Sequence, residues 1–150
     1  MGELICMVGL PRSGKTTLAL THGAPIVCPD AIRLACHARA YFAPFEPWTW
    51  AMAYTMAEAL FQAGHREVIF DATNNTRKRR DALRLQGDTF GEHPDMCGWT
   101  CRWWRVNTPA DVCIERADAS LIPVIERMAA QVEPLAPEEG DIFEAERCPP

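Results

Sequence analysis

One loop carries most of the structural information in this sequence, Gly9-Leu10-Pro11-Arg12-Ser13-Gly14-Lys15-Thr16. Its pattern is a glycine, four further residues, a glycine, a lysine and then a serine or threonine. Glycines in such a loop let consecutive backbone amides curl around phosphate oxygens, and the helix that follows presents its positive end to the same group. The stretch therefore predicts a loop that binds the phosphates of a nucleotide.

Separate roles are expected for the residues of this loop. Lys15 would reach the β- and γ-phosphates, and the hydroxyl of Thr16 would ligate Mg²⁺. Arg12 would either stabilise phosphate charge or point to solvent, and the sequence favours neither alternative. ATP and Mg²⁺ are the expected ligands. The residues expected to bind the nucleotide are Gly9, Pro11, Arg12, Ser13, Gly14, Lys15, Thr16 and Thr17.

Apolar runs alternate with helical patterns on both sides of the loop. Strands are predicted at residues 3–8, 25–28, 67–71 and 100–106, and loops at 41–48 and 87–98. Helices are predicted at residues 15–21, 31–36, 50–63, 76–85, 109–117 and 123–132, and the acidic, proline-rich tail 134–150 is expected to be irregular. Because strands that alternate with helices pair in parallel, the expected fold is a three-layer α/β sandwich. We expect a parallel sheet of four to five strands of the P-loop NTPase, nucleotide-kinase-like type, in a single domain over residues 1–150.

Composition and charge narrow the functional classes. The 150 residues are 48% hydrophobic and 23% charged, as in soluble globular proteins. No apolar run reaches the roughly 20 residues that cross a bilayer, and the N-terminus lacks the pattern of a secretory signal. A cytoplasmic protein without membrane contact is expected. Seven cysteines, an odd number, argue for reduced thiols rather than a disulfide framework.

The net charge of −5 excludes a general field that would hold long nucleic acids. Local contact is still open at two basic segments, Arg77-Lys78-Arg79-Arg80 with Arg84, and Arg102-Trp103-Trp104-Arg105. The first is equally well explained as a solvated helix face and the second as a strand with buried tryptophans. A further hypothesis is a metal site at His93, Cys97 and Cys101, whose four-residue spacing would place them on one helical face, although a fourth ligand is missing.

Two aspartates and an arginine supply the candidate chemistry. Asp71 ends an apolar strand, where a carboxylate would hold magnesium through water or would merely cap the next turn. Asp30 closes another strand, and its carboxylate can cap the following helix and accept a proton from a hydroxyl that attacks the γ-phosphorus. Arg33 follows one turn later and could bind an anionic group of the acceptor.

Three segments, at residues 8–17, 27–33 and 68–74, resemble the kinase domain of phage-type polynucleotide 5′-hydroxyl kinases. Residues 108–116 and 137–140 resemble the broader group of small AAA-like or zeta-toxin-like P-loop kinases to which those enzymes belong. The resemblance covers nearly the whole chain. It implies that Lys15 and Thr16 hold ATP and magnesium, that Asp30 is the general base and that Arg33 contacts a phosphate of the acceptor.

The same resemblance implies that Arg116 begins a short lid around residues 116–123. The family usually places another arginine a few residues further on, and Ala117-Asp118-Ala119-Ser120 stands there instead. Loss of such an arginine can cost several orders of magnitude in rate. Arg12 or Arg127 would have to compensate for it, a hypothesis that rests on charge alone.

The leading functional hypothesis is an ATP-dependent kinase. It would transfer the γ-phosphate to a hydroxyl of a nucleic acid, at a 5′ end or a hydroxymethylated base, or to a nucleotide. A second hypothesis is a kinase of a small metabolite or antibiotic, which the acidic net charge mildly favours. A third is a nucleotide-binding switch without phosphate transfer, although the asparagine-lysine-x-aspartate element that reads guanine is missing. The sequence leaves the acceptor and the oligomeric state open.

Overall fold

A five-stranded parallel sheet is the centre of the computed structural model, which describes residues 1–145. The strands are β1 (Gly2–Val8), β2 (Ile26–Val27), β3 (Glu67–Phe70), β4 (Trp99–Val106) and β5 (Ile142–Ala145). Their spatial order is β2-β3-β1-β4-β5, and every neighbouring pair is parallel. The strand before the phosphate loop therefore lies in the middle of the sheet.

Within residues 1–145, six helices connect the strands. They are α1 (Lys15–His22), α2 (Pro29–His37), α3 (Glu46–Gln62), α4 (Arg77–Gly91), α5 (Ala110–Glu115) and α6 (Ile122–Ala130). Short 3-10 turns lie at Ala43–Phe45 and Pro137–Glu139. No helix among the described residues is both long enough and apolar enough to cross a membrane.

Both faces of the sheet are covered. Leu4 and Cys6 of β1 pack with residues of α3 and α4 on one face, whereas Ile5 and Met7 pack with Ala19 of α1 on the other. Side chains alternate between the faces of a strand, so a central strand that is buried on both sides has to be apolar at every position. The predicted three-layer α/β sandwich with a parallel sheet is confirmed.

The prediction of an irregular tail is wrong for the part that the structure describes. Residues Ile142–Ala145 form β5, which pairs with β4 from Trp103 to Val106. The indole Nε1 of Trp103 donates a hydrogen bond to the carbonyl oxygen of Glu139 at 2.9 Å and fixes the entry to the strand. Prolines and acidic residues around this four-residue strand hide it in the sequence, and residues 146–150 lie outside the described part.

Two predicted loops are also partly helical. The segment 41–48 contains the first 3-10 turn and the start of α3 at Glu46, and α4 continues to Gly91 through the predicted loop 87–98. Gly87 marks close packing inside α4, because a Cβ there would lie 2.4 Å from the carbonyl oxygen of Trp99. Gly87 was predicted to begin a loop, but β4 packs against the helix at that point.

A buried ion pair ties the chain after α6 to α4. Arg80 and Glu139 have fully buried side chains, and Arg80 Nε donates to Glu139 Oε2 at 2.6 Å. The Arg80 guanidinium also donates to the carbonyl oxygens of Asn74, Glu133 and Pro134. Burial raises the pKa of the Glu139 carboxyl. The hydrogen bonds from Arg80 and from the Ala136 amide outweigh this effect, so the pKa lies below its ordinary value.

We expect Arg80→Met to lower the free energy of unfolding by about 3 to 5 kcal/mol, because it leaves the Glu139 carboxylate buried without its partner. Chemical denaturation measures this loss. The control is Arg84→Met on the same helix, whose side chain is 39% exposed and pairs with Asp81. A loss for Arg80→Met no larger than for this control would contradict the role of the buried pair.

Candidate functional site

The phosphate loop leaves β1 at Gly9 and enters α1 at Lys15. The amide of Gly9 donates to the carbonyl oxygen of Thr73 at 3.0 Å, which joins the loop to the segment after β3. A Cβ at Gly9 would lie 2.9 Å from Ser13 Oγ, so only glycine fits. Gly14 precedes α1 with a φ of 99°, a left-handed conformation that also favours glycine. The motif glycines are thus explained by the geometry of the loop.

Lys15 lies inside the loop rather than on its surface. Its side chain is buried, and Nζ donates to the carbonyl oxygen of Leu10 at 2.7 Å. Burial lowers the pKa of this ammonium to about 8, and the charges of Asp71 and Asp30 oppose that shift only in part. The buried charge is therefore incompletely compensated, and a phosphate in the loop would supply the missing negative charge.

Thr16 and Asp71 meet at the mouth of the loop. The Thr16 hydroxyl donates to Asp71 Oδ2 at 2.6 Å, and Asp71 is only 5% exposed. Hydroxyl and carboxylate oxygens are ligands that Mg²⁺ accepts, so this pair fits the predicted ion. Ser13 Oγ is fully buried and has no hydrogen-bond partner among the described residues. This orphaned hydroxyl indicates that the loop is built to hold a further polar group.

The other residues of the loop are more accessible. Thr17 is exposed, and Pro11 is half-buried. Arg12 adopts a φ of 65°, which is rare for a residue with a side chain, and its exposed guanidinium lies 4.0 Å from an Asp118 carboxylate oxygen. The guanidinium of Arg12 is thus exposed, and a role of this residue at the phosphates stays a prediction. The backbone strain it carries is of the order of 1 kcal/mol.

Asp30 and Arg33 lie together at the carboxyl end of β2. Asp30 is 79% exposed, and its Oδ1 accepts a hydrogen bond from Arg33 Nη1 at 2.6 Å. The predicted capping role of Asp30 is wrong, because α2 begins at Pro29 and no side chain caps it. The helix holds Asp30 in its first turn, where the carboxylate is open to an incoming group.

Glu46 binds the other edge of the Arg33 guanidinium, a contact that sequence reasoning missed. Nε and Nη2 of Arg33 donate to the two Glu46 oxygens, each at 2.7 Å. The hydrogen bond from Arg33 lowers the pKa of the Glu46 carboxyl, and burial opposes the shift. Glu46 lies in the predicted loop 41–48, where nothing in the sequence distinguishes it from a solvated acid. It fixes the arginine that holds Asp30.

An aromatic group beside this ion pair was missed as well. Trp50 of α3 stacks on Phe70, the last residue of β3, with ring centroids 5.9 Å apart. The guanidinium carbon of Arg79 lies 3.6 Å from the centroid of the Trp50 ring, and that of Arg33 lies 6.0 Å from it. Tyr54 contacts both rings. Only the proximity of Phe70 to Asp71 in the sequence could have placed these aromatics near the site.

The two basic segments are largely occupied by internal contacts. Arg80 is buried, while Arg77 and Arg84 bind carboxylates. Arg102 and Arg105 pair with Glu3 and Glu144, and Trp103 is fully buried. The interpretation of the second segment as a strand with buried aromatics describes the structure. Of the first segment, Lys78 and Arg79 have no ion pair among the described residues. Trp48 is exposed, Trp50 and Trp104 partly buried.

Arg116 follows α5 and contacts the phosphate loop. Its Nη1 donates to the carbonyl oxygen of Arg12 at 3.3 Å. Helices α5 and α6 pack against the loop through a small core of Leu10, Cys113 and Ile125. The residues between the helices turn tightly, because Asp118 Oδ1 accepts hydrogen bonds from the amides of Ser120 and Leu121. Arg127 lies in the last turn of α6.

The predicted helical face of His93, Cys97 and Cys101 does not form. Helix α4 ends at Gly91, and Cys101 lies in β4. Over residues 1–145, no group of three histidine, cysteine or acidic side chains is arranged to hold a metal ion. The four-residue spacing was misleading because the helix stops before it.

The sheet order, the phosphate loop and the Thr16–Asp71 contact together define a P-loop fold of the nucleotide-kinase-like type. Residues 4–119 match the AAA domain family, and the chain belongs to that family. The match includes the phosphate loop and ends within the turn between α5 and α6. No curated protein matches the sequence significantly.

Solved structures of several kinases share this fold. A chain of the Pnkp1/Rnl/Hen1 RNA repair complex is similar with a TM-score of 0.69 and 19% identity over 87% of this chain and 43% of its own length. A sugar kinase from Janibacter sp. HTCC2649 is similar with a TM-score of 0.64 and 22% identity, and the match covers 100% of this chain and 87% of the sugar kinase. A gluconokinase from Sinorhizobium meliloti 1021 is similar with a TM-score of 0.55 and 18% identity, and the match covers 99% of this chain and 84% of the gluconokinase. At these identities the similarity concerns the fold.

We expect Lys15→Met to weaken ATP binding about 10- to 100-fold, since it removes a charge-assisted hydrogen bond to phosphate. Thermal stability should be retained or rise, because burial disfavours the charged form of Lys15 in the folded protein. Calorimetric titration with ATP and a thermal melt test both points. The exposed Lys78→Met is the matched control, and parental ATP affinity in Lys15→Met would disprove the binding role.

Glu46→Gln should destabilise the protein by about 1 to 3 kcal/mol at pH 7, since it replaces charge-assisted hydrogen bonds to Arg33 by neutral ones. The folded-state pKa of Glu46 lies below its ordinary value of 4.5. The advantage of the parent is therefore fully present above pH 4.5 and is lost as the pH falls through the folded-state pKa.

Denaturation of both proteins between pH 7 and pH 3 measures this convergence. The control Glu126→Gln, at an exposed position of α6, should follow the parent throughout. A stability difference between Glu46→Gln and the parent that persists unchanged at pH 3 would show that charge at Glu46 is not the cause.

Proposed function

We propose that the chain is an ATP-dependent kinase that transfers the γ-phosphate to a hydroxyl group. The observation that carries the proposal is the position of Asp30, an exposed carboxylate held by Arg33 on the same sheet edge as the phosphate loop. The negative charge of Asp30 raises the pKa of the buried Lys15, as does that of Asp71. A carboxylate at that place is suited to an acceptor hydroxyl rather than to the nucleotide alone.

The proposed mechanism assigns a role to each side chain. Loop amides and Lys15 bind the phosphates, and Thr16 and Asp71 hold Mg²⁺. When bound, that ion neutralises the charge that develops on the transferred group. Asp30 accepts the proton of the acceptor hydroxyl as its oxygen attacks the γ-phosphorus and the bond to the ADP oxygen breaks. Arg33 keeps the carboxylate in place through Oδ1, so Oδ2 remains to take the proton.

Arg116 is the proposed lid residue. Its contact with the Arg12 carbonyl joins it to the phosphate loop, which supports a role in covering bound phosphates. Asp118 turns the chain back after two residues, which supports a short lid around residues 116–123. The missing second arginine would then leave transition-state charge less compensated than in related kinases.

The acceptor is proposed to be a nucleic-acid end, a hydroxymethylated base or a nucleotide. The resemblance of residues 27–33 and 68–74 to 5′-hydroxyl kinases supports this choice. A small-molecule acceptor is favoured by one observation, the occupation of the Arg33 guanidinium by Glu46. Because Nε and Nη2 of Arg33 already donate to Glu46, Arg33 is less suited to bind an acceptor phosphate than the resemblance implies. A neutral sugar or metabolite would not need it.

Transfer of labelled phosphate from ATP should be detectable with at least one acceptor among 5′-hydroxyl oligonucleotides, hydroxymethylated duplexes, nucleosides and sugars. Asp30→Asn should lower kcat about 10²- to 10⁴-fold while ATP binding is retained, because it removes only the general base. The control Asp88→Asn changes an exposed carboxylate on α4 and should leave kcat unchanged. ATP binding without transfer to any acceptor would support a nucleotide switch instead.

A further inference from the structure

We propose that Arg79, stacked on Trp50, binds an anionic group of the acceptor, and that Arg33 is a positioning residue for Asp30. The inference rests on the proposed kinase function and narrows it. The substrate class becomes a hydroxyl acceptor that carries a phosphate, such as a nucleoside 3′-phosphate or an oligonucleotide with a 5′-hydroxyl. The argument depends on how each of the two guanidiniums is already bound.

Arg33 has little capacity left for a ligand. Three of its five N–H groups donate to Asp30 and Glu46, and its side chain is only 12% exposed. Two carboxylates surround this one positive charge, so the group as a whole is negative. An approaching phosphate would meet net repulsion and would have to displace Glu46 from two hydrogen bonds of 2.7 Å.

Arg79 is in the opposite situation. Its side chain is partly exposed, and among residues 1–145 its guanidinium forms no ion pair with a carboxylate. The Trp50 ring, 3.6 Å away, contacts the guanidinium face. Contact with the ring helps to hold the group in place, and beyond a hydrogen bond to Tyr54 its remaining N–H groups can donate to a ligand. The charge of Glu46 also acts on Arg79, but Glu46 is bound to Arg33, and a guanidinium that is held in place without an ion pair is suited to bind phosphate bidentately.

The location of Arg79 places it on the acceptor side of the site. Arg33, which holds Asp30, borders the same Trp50 ring. The ring is stacked on Phe70, and Asp71 is the next residue in the chain. Burial raises the pKa of Tyr54, and the charge of Arg79 together with a hydrogen bond from Arg79 opposes the shift. An anion at Arg79 would therefore be flanked by the general base and the phosphate-loop edge.

The aromatic contacts also argue against a nucleobase on Trp50. Phe70 stacks on the indole at an interplanar angle of 23°, and Arg79 lies over the ring. The Trp50 ring is thus already in contact with Phe70 and with the Arg79 guanidinium. The cluster is a support for a cation, and the discriminating group of the acceptor is its phosphate.

Binding of two probes by the full chain tests the inference, thymidine 3′-monophosphate and thymidine, each titrated calorimetrically without ATP. The parent should bind the phosphorylated probe at least about tenfold more tightly, the effect of one charge-assisted hydrogen-bonded pair. Arg79→Gln should abolish that difference and leave thymidine binding unchanged. Lys78→Gln, an equal charge change at the neighbouring exposed residue, should preserve it.

A second readout separates ligand binding from a structural role. With ATP, Arg79→Gln should raise KM for thymidine 3′-monophosphate about 10- to 100-fold and leave kcat nearly unchanged. Arg79→Lys, which keeps the charge and is the reserve should Arg79→Gln fail to fold, should recover part of the affinity. Equal binding of the two probes by the parent, or equal losses for both probes in Arg79→Gln and Arg79→Lys, would overturn the inference.

The two proposals fail in different ways. Tighter binding of the phosphorylated probe that depends on Arg79, without phosphate transfer to any acceptor, would disprove the kinase function and retain the anion site. Transfer that depends on Asp30, with no effect of Arg79→Gln on either probe, would retain the kinase and disprove the anion site.

Discussion

The parallel pairing of β1 with β3 is the constraint on which the whole site depends. It brings the carboxyl ends of the two strands together, so that the phosphate loop and Asp71 emerge side by side. Two hydrogen bonds then join them, from Gly9 to the Thr73 carbonyl and from Thr16 to Asp71. Since β2 continues the same sheet beyond β3, Asp30 reaches that edge too. A shift of one residue in the β1–β3 register would move the carboxylate away from the threonine and reverse the buried faces of the strand.

The second requirement is that the segments around the site keep their places. Arg80 and Glu139 anchor the chain after α6 to the start of α4, the helix that carries Arg79 in its first turn. Glu46 anchors the start of α3 to Arg33 of α2. These two ion pairs are buried or nearly so, which makes the loss of either partner costly. Together these ion pairs help to hold four elements in fixed positions around the sheet edge.

Much of the fold could be predicted because the signals were local. The apolar run of β1, the motif glycines and the change of period after Lys15 placed the loop, and the alternation of elements predicted a parallel sheet. Strand β5 was missed since four residues among prolines and acids carry no period of their own. Their place is specified by β4 and by the Trp103 hydrogen bond, a long-range contact. Likewise a loop was predicted from Gly87 onward, whereas Gly87 lies within α4 and packs against Trp99.

The candidate site divides in the same way. Lys15, Thr16, Asp71 and Asp30 were found from the sequence, since each stands at the end of a strand or in a motif. Glu46 and Trp50 were not found, and Arg79 was named only as one member of a basic segment, because the three residues meet only when α2, α3 and α4 pack together. The capping role predicted for Asp30 failed for a local reason, as Pro29 can begin a helix, which therefore starts two residues earlier than predicted. The residues proposed to bind the nucleotide were therefore easier to predict than the residues proposed to bind the acceptor.

Three cations of the site, Lys15, Arg33 and Arg79, have different surroundings, and these surroundings decide which of them can bind an anion. Lys15 is buried without an ion pair among the described residues, and its lowered pKa records the cost of that burial. Arg33 is neutralised by two carboxylates, and Arg79 rests on an aromatic ring. A phosphate gains most where positive charge is fixed in place and not already compensated. By that criterion Lys15 is the proposed anion-binding position for the nucleotide and Arg79 the proposed one for the acceptor, while Arg33 and Asp30 are the proposed proton-accepting pair.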